Sequence, residues 1–174
     1  MLVQRVALHS APSYAVVEES AIAGVLRQLS GDDLRQKLNV AFRQMERQQP
    51  ALADFVSDEL SEIPGAPIQA MAYFLYVMVY LSFEASCGRG LHVIGKAEIE
   101  AALSRLVLDG QMRSETCGEA SFSEDAIASS QPALMRLINQ ELDRAAAESH
   151  DVDRLLEGLL VLVLALTESV TPTC

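Results

Sequence analysis

Two stretches of this chain are nearly the same. Gln49-Pro50-Ala51-Leu52 recurs as Gln131-Pro132-Ala133-Leu134, and Glu59-Leu60 returns at the same offset as Glu141-Leu142. Phe55 and Val56 fall opposite Leu137 and Ile138, so the apolar face repeats along with the identities. With a further shift of two residues, Leu75 to Glu84 aligns with Leu159 to Glu168, with Val77/Val161 and Val79/Val163 matched between. Self-similarity at a fixed offset is the mark of a repeated supersecondary unit. Each copy, 49–86 and 131–170, reads as a helical hairpin: a helix opened by Pro, a short turn, then a strongly apolar helix ending in Glu. Such a hairpin cannot cover its apolar helix alone. The two copies are therefore expected to pack about a pseudo-twofold axis with the apolar helices at the centre.

Outward from the repeat, apolar residues recur at helical spacing and no stretch alternates as a strand would, so the class is all-α. Ser13 to Leu29 reads as one helix, through Val17, Ile22, Val25, Leu26 and Leu29. Ser30-Gly31-Asp32-Asp33 has capping-box form before the amphipathic run Leu34, Leu38, Ala41, Phe42, Met45. Leu91 to Ile94 suits a short extended piece, and Lys96 to about Met112 a helix with Ile99, Leu103, Leu106 and Val107 inward. The stretch 114–130 holds four acids and no base and reads as an acidic loop, with room for a helical turn after Ser121. The end, 171–174, reads as a frayed tail. The expectation is one domain, 1–174, a compact bundle of about six helices.

Composition agrees with that class. The chain has 174 residues, half of them apolar, too many for an intrinsically disordered chain. Its 24 Asp and Glu against 13 Lys and Arg leave a formal charge of −11, which argues against nucleic acid and anionic membranes as partners. Met1 to Gln48 is near neutral, so the excess lies in the rest. Ala70 to Phe83 is apolar over 14 residues, short of the roughly 20 a membrane span takes, and reads as a core helix. The N-terminus has no continuous apolar run of signal-peptide length, and Cys87, Cys117 and Cys174 form no C-x-x-C pattern. The expected location is cytoplasmic.

The two copies differ where function could sit. Asp54, Asp58 and Glu62 align with Arg136, Gln140 and Arg144, an acidic outer stripe opposite a basic one. These stripes are ordinary solvated faces, or they attract a partner or a second copy. Tyr73, Tyr76 and Tyr80 share a stripe with Phe83, against Glu157, Leu160, Leu164 and Thr167 in the other copy. Buried hydroxyls need partners, so this stripe is core packing, a homodimer face or a ligand pocket.

Chemistry is sparse. His9, His92 and His150 are isolated, and the chain has no nucleophile elbow, phosphate loop or dinucleotide fingerprint. Glu148, His150, Asp151, Asp153 and Glu157 crowd one turn, where carboxylates also complement a helix dipole and Arg154 competes for them. Glu84 and Glu168 end the two apolar helices at equivalent places but lack the Glu-x-x-His motifs of a diiron bundle. No metal, cofactor or catalytic residue is assigned. The reading is a non-enzymatic cytoplasmic protein acting through protein–protein interaction, as a homodimer or with another chain. Its alternative is a small-molecule binder or enzyme with a pocket beside Tyr73, Tyr76 and Tyr80.

Overall fold

The computed structural model describes residues 11–115, 122–146 and 152–172. Among them are eight α-helices: α1 (Glu19–Leu29), α2 (Leu34–Gln48), α3 (Pro50–Glu62), α4 (Ala66–Cys87), α5 (Lys96–Glu115), α6 (Phe122–Ser130), α7 (Pro132–Ala146) and α8 (Val152–Ser169). No strand occurs among the described residues, only an isolated antiparallel bridge between Leu91 and Val170. The architecture is an all-α bundle. It has more helices than the six expected, partly because Phe122–Ser130 is helical within the stretch read as an acidic loop.

α4 and α8 occupy the middle and pack on each other. α4 also touches α1, α2, α3 and α7, and α8 touches α3, α5, α6 and α7. α4 carries buried side chains all round, from Leu75, Val77 and Met78 to Val79, Leu81 and Phe83. α8 does the same from Leu159 to Leu166. At roughly 1.5–3 kcal/mol for each large apolar side chain fully buried, this pair is the main source of hydrophobic stabilisation. α4 is long and apolar enough to span a membrane, yet most of its apolar window is buried inside the protein. Pro64 and Gly65 turn the chain into it, Gly65 at φ 90°, a left-handed conformation that side-chain-bearing residues rarely adopt. Gln69 Nε2 donates to the Leu60 carbonyl at 2.8 Å and ties the turn to the end of α3.

Two of the sequence readings of helix starts fail for physical reasons. Ser13–Ala15 is a single 3-10 turn, and α1 begins only at Glu19. The intervening backbone is extended because the buried Gln131 side chain takes its polar groups: Val17 N donates to Oε1 at 2.9 Å, and Nε2 donates to the Ala15 carbonyl at 2.6 Å. The capping box before α2 does not form either. Ser30 Oγ instead donates to the Arg27 carbonyl at the end of α1, and Asp33 pairs with Lys37 at 2.9 Å. That pair, exposed and one turn apart, holds the Asp33 carboxyl below its ordinary range through the Lys37 hydrogen bond.

Gln49 does for residues 92–94 what Gln131 does for 15–17. Ile94 N donates to Gln49 Oε1 at 2.8 Å, and Gln49 Nε2 donates to the His92 carbonyl at 2.9 Å. A carboxamide sets a carbonyl acceptor beside an N–H donor, as a peptide group does, and carries a second N–H besides, so each glutamine serves as one rung of a ladder for its connecting segment. The second segment is held from its other side by α8 and the residues after it: His92 N donates to the Ser169 carbonyl at 3.1 Å, and Thr171 N donates to the Gly90 carbonyl at 2.8 Å. Thr171, read as the start of a frayed tail, is thus tied down. Gln49→Leu keeps the volume and removes the rung, leaving the amide of buried Ile94 and the His92 carbonyl without a partner. The expected loss is about 2–4 kcal/mol by the cost of orphaned buried groups, measured by urea denaturation.

Candidate functional site

The aromatic stripe of α4 diverges. At 100° per residue, Tyr73 and Tyr80 are only about 20° apart, whereas Tyr76 stands about 60° from Tyr73. Tyr73 and Tyr80 accordingly face α2. Tyr73 Oη donates to Asn39 Oδ1 at 3.2 Å and its ring packs on Phe42, with centroids 5.5 Å apart. Tyr80 Oη donates to Gln48 Oε1 at 2.5 Å. Burial lifts the phenol of each above its ordinary range. Their hydroxyls are satisfied by side chains of α2.

Tyr76 turns instead toward α3 and α8. It is fully buried, and its Oη has no hydrogen-bond partner among the described residues. The hydroxyl lies against Gly158 of α8. A Cβ built on Gly158 would stand 2.1 Å from Tyr76 Oη and 3.1 Å from Glu59 Oε2. Glycine is therefore required here by the close approach of a tyrosine, and it is what lets Oη reach the helix backbone.

Above this contact is a cavity of about 300 Å³. α3 supplies Phe55 and Glu59, one turn apart on the same face, and α5 supplies Leu103. α8 supplies Arg154, Glu157, Gly158 and Val161, at the i, i+3, i+4 and i+7 spacing of one helical stripe. The walls are apolar on one side and charged on the other. Burial pushes the Glu59 carboxyl above the usual carboxylate range; Arg154 opposes that, while Glu157, Glu62 and Asp58 add to it. Burial likewise raises the Tyr76 phenol, and Glu59 adds to the effect. Carboxylates outnumber bases around this cavity.

The charged stripes lie on the surface. Asp54 and Asp58 are exposed and make no ion pair among the described residues, while Glu62 is 3.7 Å from Arg154. Arg136 lies 3.6 Å from Glu19 and Arg144 pairs with Glu141, so both bases have partners within the chain. Glu168 pairs with Arg105. Its counterpart Glu84 makes no ion pair among the described residues and borders a second cavity of about 450 Å³ with Tyr14, Cys87 and Arg89. Burial alone lifts its carboxyl.

No group of three or more potential metal ligands occurs among the described residues. Glu148, His150 and Asp151 lie outside them, as do His9, Cys117, Cys174 and Ser121 of the second capping motif. His92 bonds to Glu98 at 2.9 Å; Glu98 in turn accepts from the Gly95 amide and closes the start of α5. These two hydrogen bonds, Gly95 first, hold the Glu98 carboxyl below its ordinary range. Comparison with known proteins matches no family model, no curated protein and no solved structure.

Sequence reasoning singled out Tyr76 but missed Glu59, Gly158 and Arg154. The available signal was Gly158 itself, a glycine inside a helix, where it costs about 1 kcal/mol relative to alanine unless something needs the space. An orphaned buried hydroxyl is destabilising, so Tyr76→Phe is expected to raise stability by about 1 kcal/mol. Gly158→Ala is expected to lower it by about 1–3 kcal/mol through overpacking. Urea denaturation of both variants checks this, and a destabilised Tyr76→Phe contradicts it. Glu84 supplies a pH test. A carboxyl whose folded-state value is raised contributes stability while protonated and loses that contribution as the pH climbs past it. Glu84→Gln is therefore expected to raise the melting temperature at pH 7, with the gain fading as the pH falls toward 4.5, the ordinary glutamate value.

Proposed function

We propose that this is a non-enzymatic cytoplasmic protein that works by binding a protein partner across the face where α3, α5 and α8 meet. The observation that carries the reading is on α5. Leu103 and Val107, expected to face inward from their spacing, are 41% and 45% exposed, and with Leu108 at 49% they form an apolar strip that the bundle does not bury. Leu103 and Val107 are one turn apart on the same face, and Leu103 adjoins Phe55 and Glu59 of α3. Asp54 and Asp58, exposed on α3, add acidic character next to the strip. An apolar contact rimmed by carboxylates suits a partner segment with an apolar face and basic edges. Because Arg136 and Arg144 already have partners in the chain, another protein's bases complement Asp54 and Asp58 better than a second copy's do. The buried free thiol of Cys87 is compatible with a reducing compartment.

We infer further that the chain is an internal duplication in which α1–α4 correspond to α5–α8 about a pseudo-twofold axis. Gln49 and Gln131 support it, standing at corresponding positions before Pro50 and Pro132. The backbone N of each donates at 2.7 Å to the carbonyl four residues before it, Met45 and Ile127. Each side chain clasps a connecting stretch of the other half, Gln49 at His92 and Ile94 and Gln131 at Ala15 and Val17, where the 3-10 turn gives way to extended backbone. Ile22, Leu26 and Leu29 of α1 fall opposite Ile99, Leu103 and Leu106 of α5 at one constant offset.

A second reading, a small-molecule pocket beside the tyrosine stripe, is favoured by the unpartnered Tyr76 hydroxyl. Affinity capture from the source cell separates the first reading from it. Wild type is expected to retain a protein that is lost both by Leu103→Asp with Val107→Asp and by Asp54→Lys with Asp58→Lys. Circular dichroism checks that the variants stay folded. If folded variants capture the same proteins as wild type, this face is not the interface. Light scattering on the purified chain reports self-association.

A further inference from the structure

We propose that the cavity between α3 and α8 binds a primary ammonium group carried on a short aliphatic stem, with Glu59 and Glu157 as its counter-ions and the Tyr76 hydroxyl, which stands behind Gly158 of the cavity wall, as a hydrogen-bonding partner. The inference rests on reading this cavity as a ligand pocket, and it names the chemical class of that ligand.

Three independent features converge here. The first is the orphaned hydroxyl. Buried polar atoms in folded proteins are nearly always paired, and each exception calls for an explanation. Tyr76 is fully buried, its Oη points at Gly158, and Gly158 and Glu59 both line the cavity. Tyr76 does not itself line the cavity; its Oη stands behind Gly158 and beside Glu59, so the cavity is the side from which a group reaches it. The glycine is what leaves room for this approach.

The second is charge. Two carboxylates and one guanidinium line the cavity, and Arg154 also faces Glu62 across 3.7 Å, so the balance at the wall is negative. Asp58 and Glu62 deepen the negative potential at Glu59. A monocation neutralises this set, whereas an anion would meet repulsion from both Glu59 and Glu157. The third is shape. Phe55, Leu103 and Val161 form the apolar walls, and a volume of about 300 Å³ sits at the small end of ligand sites. An ammonium on an aliphatic chain matches one charged wall and one apolar wall. Ammonium donates three hydrogen bonds and accepts none, which suits two carboxylates and a phenol oxygen with a free lone pair. A free alkylamine and the side chain of a peptide lysine share this chemistry.

The test is a titration at pH 7 followed by amide chemical shifts, using n-pentylammonium for the free amine and Nα-acetyl-lysine N-methylamide for a peptide lysine. The neutral control is 1-pentanol. The expected result is saturable shifts centred on Gly158, Glu59 and Val161 with one or both cations, at least tenfold tighter than with pentanol. Glu59→Gln is expected to weaken cation binding at least tenfold, and Tyr76→Phe several-fold, in chains that remain folded by circular dichroism. Which of the two cations binds more tightly assigns the source. Pentanol binding as tightly as the cations would overturn the ammonium assignment while sparing the pocket. Absence of saturable shifts with all three probes would remove the pocket as well. Cation binding unchanged in Glu59→Gln would also overturn the proposal.

Discussion

A segment of extended backbone crossing a helical bundle has polar groups that no helix can satisfy, and burying them unpaired costs about 1–3 kcal/mol each. This chain has two such segments, Val16–Glu18 after the 3-10 turn and His92–Ile94, and each meets a buried glutamine. The carboxamides of Gln131 and Gln49 supply the missing donor and acceptor at 2.6–2.9 Å. Because the same glutamines precede Pro50 and Pro132, where α3 and α7 begin, each one fixes a helix start and an inter-element connection together. The entries to α1 and α5 are set by these contacts, and with them the cover over α4 and α8. Gln131 Nε2 also donates to Thr167 Oγ1 at 3.1 Å, which links the first segment to α8.

With α4 and α8 enclosed, the differences between them decide where polar chemistry can sit. α8 presents Leu160 and Leu164 at the positions that align with Tyr76 and Tyr80 of α4, and both leucines are buried. α4's hydroxyls require partners in the middle of a bundle. Gln48 and Asn39 of α2 satisfy Tyr80 and Tyr73. Tyr76, rotated away from α2, reaches Gly158 and the Glu59 carboxyl, where packing leaves a hollow rather than a donor–acceptor pair. The polar character of that hollow follows from one tyrosine that points to the wrong side of its helix for α2 to serve it.

The helical class was legible from periodicity, because apolar residues on amphipathic helices recur whatever their partners. The starts of α3 and α7 were legible too, since Pro is tolerated at a helix's first turn. What Gln49 and Gln131 do was not. A glutamine before Pro reads as a solvent-facing flank, and its partners lie more than forty residues away in sequence. The same non-local contact explains why Val17 belongs to an extended segment rather than to the helix its spacing suggests. Ser30 was misread because a hydroxyl between two helices can serve the end of one or the start of the next, and only geometry chooses. At the cavity, Tyr76 was visible as a polar group in an apolar helix. Glu59 was not, because it sits on the half-buried edge of an acidic helix beside the exposed Asp54, Asp58 and Glu62 and carries no spacing signal that separates it from them.

Amide hydrogen exchange at Val17 and Ile94 tests the two glutamine contacts most directly. Paired as they are, both amides are expected to exchange only through global unfolding, at the slow limit shared by the core of α4 and α8. Replacing Gln131 by Leu is expected to release Val17 to faster exchange while Ile94 stays protected, and replacing Gln49 the reverse. Fast exchange at both amides in the native chain, or protection that survives both substitutions, would contradict the account.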